Sequence, residues 1–337
     1  MTPILRPIFV LTIATAALAT GAGPLAAQIM RLPAVEAGVP GPSGQVLPCQ
    51  DLSADVTAPP AETPAPPEPE LPPGARAGVF QKLLFNGTWL ASGGADGLGI
   101  GDLELKTVLG FPCPTIKSPL LVTPAFGAHF LDGPRGTDLP PRVYDASAEF
   151  CWMSQVTPSL GVDLTVTPGV FSDFDQSSKE QLRLTGHGAG AWTWTPTTKI
   201  VAGVGYFDRR DVHLLPIGGL IWNPSDDASF VLIFPAPRIA KRIYCFGGLS
   251  KDVQDWVYLA GEFGGATWAF RRDSGADDLF TYSDVRVILG LERKTFGGLG
   301  AKLEVGYVFS RKVEYWSRVP PDLAPADTVM LRGGLTY

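Results

Sequence analysis

The chain has no second long apolar run. Among 337 residues, Ile8 to Ala19 is the one continuous hydrophobic segment near the N-terminus, and no other stretch supplies the ~18 apolar residues that a bilayer-spanning helix needs. A helical membrane protein is therefore excluded. Charge is also scarce. Asp, Glu, Lys and Arg make up 18% of the chain and the formal net charge is -6, which argues against a general affinity for nucleic acid or for anionic lipid surfaces. Histidine is limited to His129, His187 and His213, and cysteine to Cys49, Cys113, Cys151 and Cys245, with no CxxC pair and no HExxH. A phosphate cradle is missing too. The Gly-rich stretch Gly93-Gly94-Ala95-Asp96-Gly97-Leu98-Gly99 follows a strand but leads into no helix, and a nucleotide site needs that helix N-terminus. No cofactor is expected from these residues.

What is present begins with a secretory pattern. Arg6 supplies a positive n-region, Ile8 to Ala19 an apolar run, and Ala17-Leu18-Ala19 or Leu25-Ala26-Ala27 small residues for cleavage, so residues 1–27 are expected to be a signal peptide. Residues 28–78 follow as a linker. Gln28 to Ala77 holds twelve prolines and no aromatic residue, too little apolar surface to offset the entropy of folding. It reads as an extended periplasmic spacer and as the candidate tether to a periplasmic partner.

From Val79 to Tyr337 the pattern changes to strand-like runs separated by Gly, Pro, Asn and Asp clusters. The last eleven residues alternate Val329, Leu331, Gly333, Leu335 and Tyr337 with Thr328, Met330, Arg332, Gly334 and Thr336. A period of two places successive side chains on opposite faces, and an aromatic C-terminus suits the closing strand of an outer-membrane barrel. The same alternation upstream separates the charges. Leu103, Leu105 and Leu109 oppose Glu104 and Lys106; Leu160, Val162, Leu164 and Val166 oppose Asp163, Thr165 and Thr167; Val285, Val287, Leu289 and Leu291 oppose Asp284 and Arg286. Extended to all runs, this assigns Lys82, Glu104, Lys106, Asp145, Glu149, Asp163, Arg183, His187, Glu262, Asp284, Arg286, Lys302, Glu304 and Arg332 to one polar face. A Lys or Arg facing lipid at mid-membrane costs ~2–4 kcal/mol, which explains a charge-free opposite face.

Alternation alone also fits a soluble barrel or sandwich turned inside out. Two further features favour the membrane. Aromatics such as Trp89, Trp152, Trp192, Trp194, Trp222, Trp256, Tyr307 and Tyr337 gather near strand ends, where interfacial girdles form. Short connections, as at Val156 to Ser159 and Arg293 to Gly298, alternate with long ones, as at Leu131 to Pro141 and Trp316 to Ala326, the asymmetry of periplasmic turns and external loops. The expectation is an all-β, antiparallel transmembrane outer-membrane β-barrel spanning residues 79–337. It has about fourteen strands, with Gln254 to Phe270 and Phe280 to Glu292 as single strands, or twelve if Arg238, Lys241 and Arg242 form a loop.

Three segments, Leu215-Pro216-Ile217-Gly218-Gly219-Leu220-Ile221-Trp222-Asn223-Pro224-Ser225-Asp226-Asp227, Phe234-Pro235-Ala236-Pro237-Arg238 and Gly261-Glu262-Phe263-Gly264-Gly265, resemble a family of functionally uncharacterised bacterial outer-membrane barrel proteins. The resemblance covers Val79 to Tyr337 and implies a barrel domain of unknown function. Its motifs are structural punctuation and bring no catalytic residues.

Catalytic readings are weak. Asp208, Arg209, Arg210, Asp211 and His213 crowd one external loop as in outer-membrane proteases, but a solvated polar loop explains them equally. A Ser-His lipase pair has to sit at the lipid boundary, whereas His187 falls on the polar face. Asp96 and Asp102 could bind calcium weakly, yet ordinary turn chemistry accounts for them. No enzyme is expected. Oxidising surroundings allow three pairings of the four cysteines, Cys49–Cys113 among them. The polar face carries six basic and seven acidic side chains, and such a balanced interior suits a weakly selective pore, with a non-conducting structural or surface-binding barrel as the alternative. The expected partners are outer-membrane lipid and the barrel-assembly machinery, engaged through the C-terminal strand ending at Tyr337. Nucleic acid is not among them.

Overall fold

A computed structural model describes residues 78–337 except 94–96, 116–117, 135–136, 176–178, 210–212, 247–252, 296–297 and 320. The expected signal peptide and nearly all of the linker, Cys49 included, lie outside the described residues. Fifteen strands form one sheet: β1 (Phe80–Leu90), β2 (Gly99–Thr115), β3 (Ser118–Asp132), β4 (Arg142–Thr157), β5 (Leu160–Ser172), β6 (Leu182–Thr195), β7 (Thr198–Tyr206), β8 (Leu214–Ser225), β9 (Ala228–Phe234), β10 (Arg238–Phe246), β11 (Val253–Gly264), β12 (Thr267–Arg271), β13 (Asp277–Thr295), β14 (Gly300–Tyr315) and β15 (Thr328–Thr336). Fourteen of them close a ring. Strands β1 to β11 pair in sequence, β11 pairs with β13, and β13, β14 and β15 lead back to β1, every pair antiparallel. Closure leaves no edge, so every strand in the membrane zone has its backbone partners on both sides. The twelve-strand alternative is corrected, because Arg238, Lys241 and Arg242 belong to β10, which pairs with both β9 and β11.

The two rims differ. Both ends of the barrel, Phe80 and Thr336, and the tight turns, such as 158–159, 196–197 and 226–227, lie at one rim, the terminal rim, and most of the longer connections lie at the other. Between the rims the outward positions are apolar and open to the surroundings, Leu103, Leu164, Leu184, Leu259, Leu289 and Leu303 among them. Outward strand charges gather at the rims: Lys241 lies level with the 226–227 turn, and Asp255 pairs with Arg293 at 2.7 Å near the ends of β11 and β13. A continuous aliphatic belt of this kind is stable only against hydrocarbon. Trp192, Trp194 and Trp222 flank it at the terminal rim, and Trp89, Tyr206 and Tyr307 at the loop rim, all exposed. Trp256 differs from its expected outward placement. It faces inward, donates to Gln254 at 3.0 Å, and lies beneath Arg242 and Lys294.

A second correction decides the shape of the interior. The run expected as one strand from Gln254 to Phe270 breaks at Gly265, and its upper part, β12, turns across the barrel mouth. Gly265 sits at φ +102°, and a Cβ there would collide with the Tyr282 carbonyl, so no side chain fits the bend. The β12–β13 hairpin keeps the register of β11–β13 beyond the break, and Ala269 then bridges Ser172 of β5 in parallel. The loop rim is thereby pinched into a smaller ring running from β12 through β15 and β1 to β5. Inside this ring Trp268, Phe270, Phe280 and Tyr315 pack with Leu90, Ile100, Val143 and Met330 as an apolar core.

Candidate functional site

The interior is the one place where this barrel concentrates chemistry. Alternation carries Glu104, Lys106, Asp145, Glu149, Asp163, Arg183, His187, Glu262, Asp284, Arg286, Lys302, Glu304 and Arg332 to the inner face, and Lys82 to the same face at the terminal rim, where it is exposed. The register then sorts them into groups.

The first group lies along β11, β13, β14 and β15. Register pairs Glu262 with Arg286 and Glu304 with Arg332, so the four side chains meet at adjacent levels. Arg332 donates bidentately to Glu262 at 2.9 and 2.9 Å and reaches Glu304 at 3.1 Å. Arg286 grips Asp284 at 2.7 and 2.9 Å and Glu262 at 3.2 Å. Tyr258 donates a short hydrogen bond to Glu304, and Lys302 stands 3.7 Å from the same carboxylate. Arg238, stacked over Tyr258 at 3.9 Å, pairs with Glu292 at 2.6 Å nearer the terminal rim. Positive and negative groups alternate at hydrogen-bond distance, which offsets the cost of removing each from water and leaves no large net field.

A second group spans β2, β3 and β4. His129 faces Asp102 through Nδ1 at 2.8 Å and Asp145 through Nε2 at 2.5 Å, with Trp268 of the hairpin 5.0 Å from its ring. Two carboxylate acceptors require hydrogen on both ring nitrogens, so this side chain is an imidazolium. Asp102 is thus engaged by a histidine, and Asp96, its counterpart in the calcium reading, lies outside the described residues. Neither His129 nor Asp102 stood among the expected inward residues, although both obey the parity of Glu104 and Asp145. The same parity also places Glu104 2.6 Å from Lys106 and in contact with Asn86.

On β5 and β6, His187 stands 3.2 Å from Asp163, which also accepts from Thr165 at 3.0 Å. Its place inside the wall is incompatible with a lipase pair at the lipid boundary. Of the protease-like cluster, Asp208 faces Arg183 at 3.5 Å and Arg209 is buried and donates to the Tyr282 carbonyl at 3.3 Å, while Arg210 and Asp211 lie outside the described residues. Among the described residues Cys113, Cys151 and Cys245 form no disulfide with one another, the Cys49–Cys113 pairing lies outside them, and the Cys151 sulfur is 3.7 Å from Asp163.

The inner face of β6 to β9 is different again. Ala189, Ala191, Val201, Ile217 and Ile233 form a second buried apolar cluster there. The lumen therefore has one ion-laced wall and one aliphatic wall.

The hairpin is held in the mouth by side chains on its tip. Arg272 reaches Asp138 of the β3–β4 loop at 3.1 Å, and Asp138 also accepts from the Asp273 amide at 2.9 Å. Arg272 further grips Asp278 and the Val319 carbonyl and lies over the Phe270 and Tyr315 rings. Across the pinch, Asp173 accepts from the Arg271 amide at 2.8 Å, and its own amide donates to the Ala269 carbonyl at 3.1 Å. At the base, Arg311 donates to Tyr282 at 3.0 Å and to the Leu98 carbonyl at 2.5 Å.

No family model matches this chain, and no curated protein matches it. Solved structures with similar folds include a NanC porin in a rhombohedral crystal form, 10% identical over 76% of this chain and 98% of that one, TM-score 0.35. Others are a bacterial polysaccharide outer membrane secretin, 13% identical over 76% and 97%, TM-score 0.36, and the Acinetobacter baumannii outer membrane protein Omp33, 10% identical over 77% and 99%, TM-score 0.24. The architecture stands on the ring of strands and its apolar belt, independently of these likenesses.

Proposed function

We propose that the chain is an outer-membrane barrel for passive transport of small solutes, shut in this conformation by the β12–β13 hairpin. The observation that supports the reading is the contrast between two kinds of seam. Every neighbouring pair in the fourteen-stranded ring shares a ladder of several residue pairs, whereas β12 meets β5 through the single pair Ala269–Ser172 plus loop carboxylates. A contact of that kind opens at far lower cost than a ladder. Insertion into the membrane proceeds on this reading through β15, whose exposed Tyr337 ends the closing strand, and the Pro-rich tract tethers the barrel in the periplasm.

A sealed, non-conducting barrel is the second reading, favoured by the apolar core of Trp268, Phe270, Phe280 and Tyr315 in the mouth. Planar-bilayer recordings decide between them. Directly paired residues lie within reach of a disulfide, so the double variant Ser172→Cys/Ala269→Cys locks the hairpin when oxidised. The transport reading expects silence from the oxidised form and steps of conductance after reduction. Silence from the reduced form, from the unmodified protein and from Arg272→Ala alike leaves only the sealed barrel.

A further inference from the structure

The hairpin has two faces, and the core uses one of them. Phe280 and Tyr282 point into the pinched ring, whereas Thr281, Ser283 and the facing Thr267 lie on the back, toward β6 and the β7–β8 connection. Side-chain contacts link this hydroxyl-bearing back to the wall along a buried seam. Thr267 and Thr281 share a hydrogen bond at 2.8 Å, Trp316 donates to Thr281 at 3.3 Å, and the Arg183 guanidinium lies over the Trp316 ring at 5.2 Å. Arg209 closes the upper end through its bond to the Tyr282 carbonyl. The carboxylates nearby are Asp208, 3.5 Å from Nη1 of Arg183, and Glu314, which pairs with Lys312 at 2.5 Å.

Arg183 is 8% exposed, and its Nε and Nη2 have no hydrogen-bond acceptor among the described residues. Those two atoms form the edge of the guanidinium that binds a planar oxyanion bidentately. Ser283, 3% exposed, presents a hydroxyl in the same condition on the opposite side. A buried cation with an unused fork, in a seam that also carries an unpartnered hydroxyl, is costly unless an acceptor reaches it. On the transport reading, in which the hairpin moves off the wall, we propose that this seam is a binding site for a hydroxylated organic carboxylate, with the carboxylate on the Arg183 fork and hydroxyls on the Thr267, Thr281 and Ser283 side.

Gluconate and sorbitol share a carbon skeleton and differ in the carboxylate, which makes them suitable probes. Calorimetric titration of the full-length folded barrel in detergent is expected to show binding of gluconate, at least tenfold weaker binding of sorbitol, and loss of gluconate affinity by at least tenfold in Arg183→Gln. Arg183→Lys keeps the charge but removes the fork, and is expected to fall between the two. Retained heat-modifiable migration on a cold gel identifies variants that are still folded. The proposal is overturned by equal affinity for sorbitol, by tighter binding of inorganic phosphate than of gluconate, by full affinity in a folded Arg183→Gln or Arg183→Lys, or by no gluconate binding at all. Conductance in potassium chloride is read separately. A barrel that conducts without binding gluconate loses only this site, and one that binds gluconate but never conducts loses only the transport reading.

Discussion

The two walls of the lumen are built from the same alternating strands yet are stabilised by different means. Along β11 and β13 to β15, Glu262, Arg286, Glu304 and Arg332 satisfy one another, while along β6 to β9, Val201, Ile217 and Ile233 pack against one another. The difference teaches that the polar-inward rule of a barrel is a rule about lipid, not about the interior. Between the rims, outward positions tolerate no charge because hydrocarbon cannot solvate it, whereas inward positions accept either paired ions or packed aliphatics.

The largest expected effect comes from breaking the ionic wall on one side. Glu262→Ala leaves Arg286 and Arg332 short of acceptors, and losing one partner of a buried pair costs about 3–5 kcal/mol. Urea unfolding of the barrel in lipid vesicles is expected to show that loss, and an effect below about 1 kcal/mol would mean that water already screens this wall. Reversing the outward rule is expected to cost slightly less: Leu289→Arg, exposed at the middle of β13, should lower stability by about 2–4 kcal/mol in the same assay. Stability unchanged by that arginine would place the belt outside hydrocarbon.

On the aliphatic wall, Ile217→Val removes one methylene from a side chain 3% exposed and is expected to cost about 0.5–1.5 kcal/mol. No measurable cost would show that the cluster faces open water, and the contrast between walls would collapse. The smallest effect is expected at the terminal rim, where Arg293→Ala breaks the exposed pair with Asp255 and changes stability by about 0–1 kcal/mol, less at high salt. A loss as large as that of Glu262→Ala would abolish the distinction between rim and interior.

Much of this was legible before any coordinates. Leu103-Glu104-Leu105-Lys106 and Val285-Arg286-Val287 state their faces residue by residue, and the alternation of tight and long connections places both ends of the barrel at one rim. The turn of β12 into the mouth was not legible in the same way. Trp268, Ala269, Phe270 and Leu279 to Ser283 have hydrophobic or small residues on both parities, which is compatible with a strand crossing a membrane and with one buried on two sides. Gly264-Gly265 was the available sign, and it reads as a bend only once the Tyr282 carbonyl is known to lie against it. His129 has inward parity, although it was not among the expected inward residues. Its clamp was not legible, because Asp102 and Asp145 are 27 and 16 residues away and meet it only through the registers of β2–β3 and β3–β4.

The amino-acid order by itself determined the class of solvent on each face. A period of two in side-chain polarity is a local property, set where each strand alternates and independent of which strand lies beside it. Tertiary structure alone decided which charges neutralise which, where the mouth is pinched, and that Arg183 keeps an unused fork beside Trp316. Those outcomes depend on register and on a seam between segments about a hundred residues apart, and free energies of that kind exist only once the ring has closed.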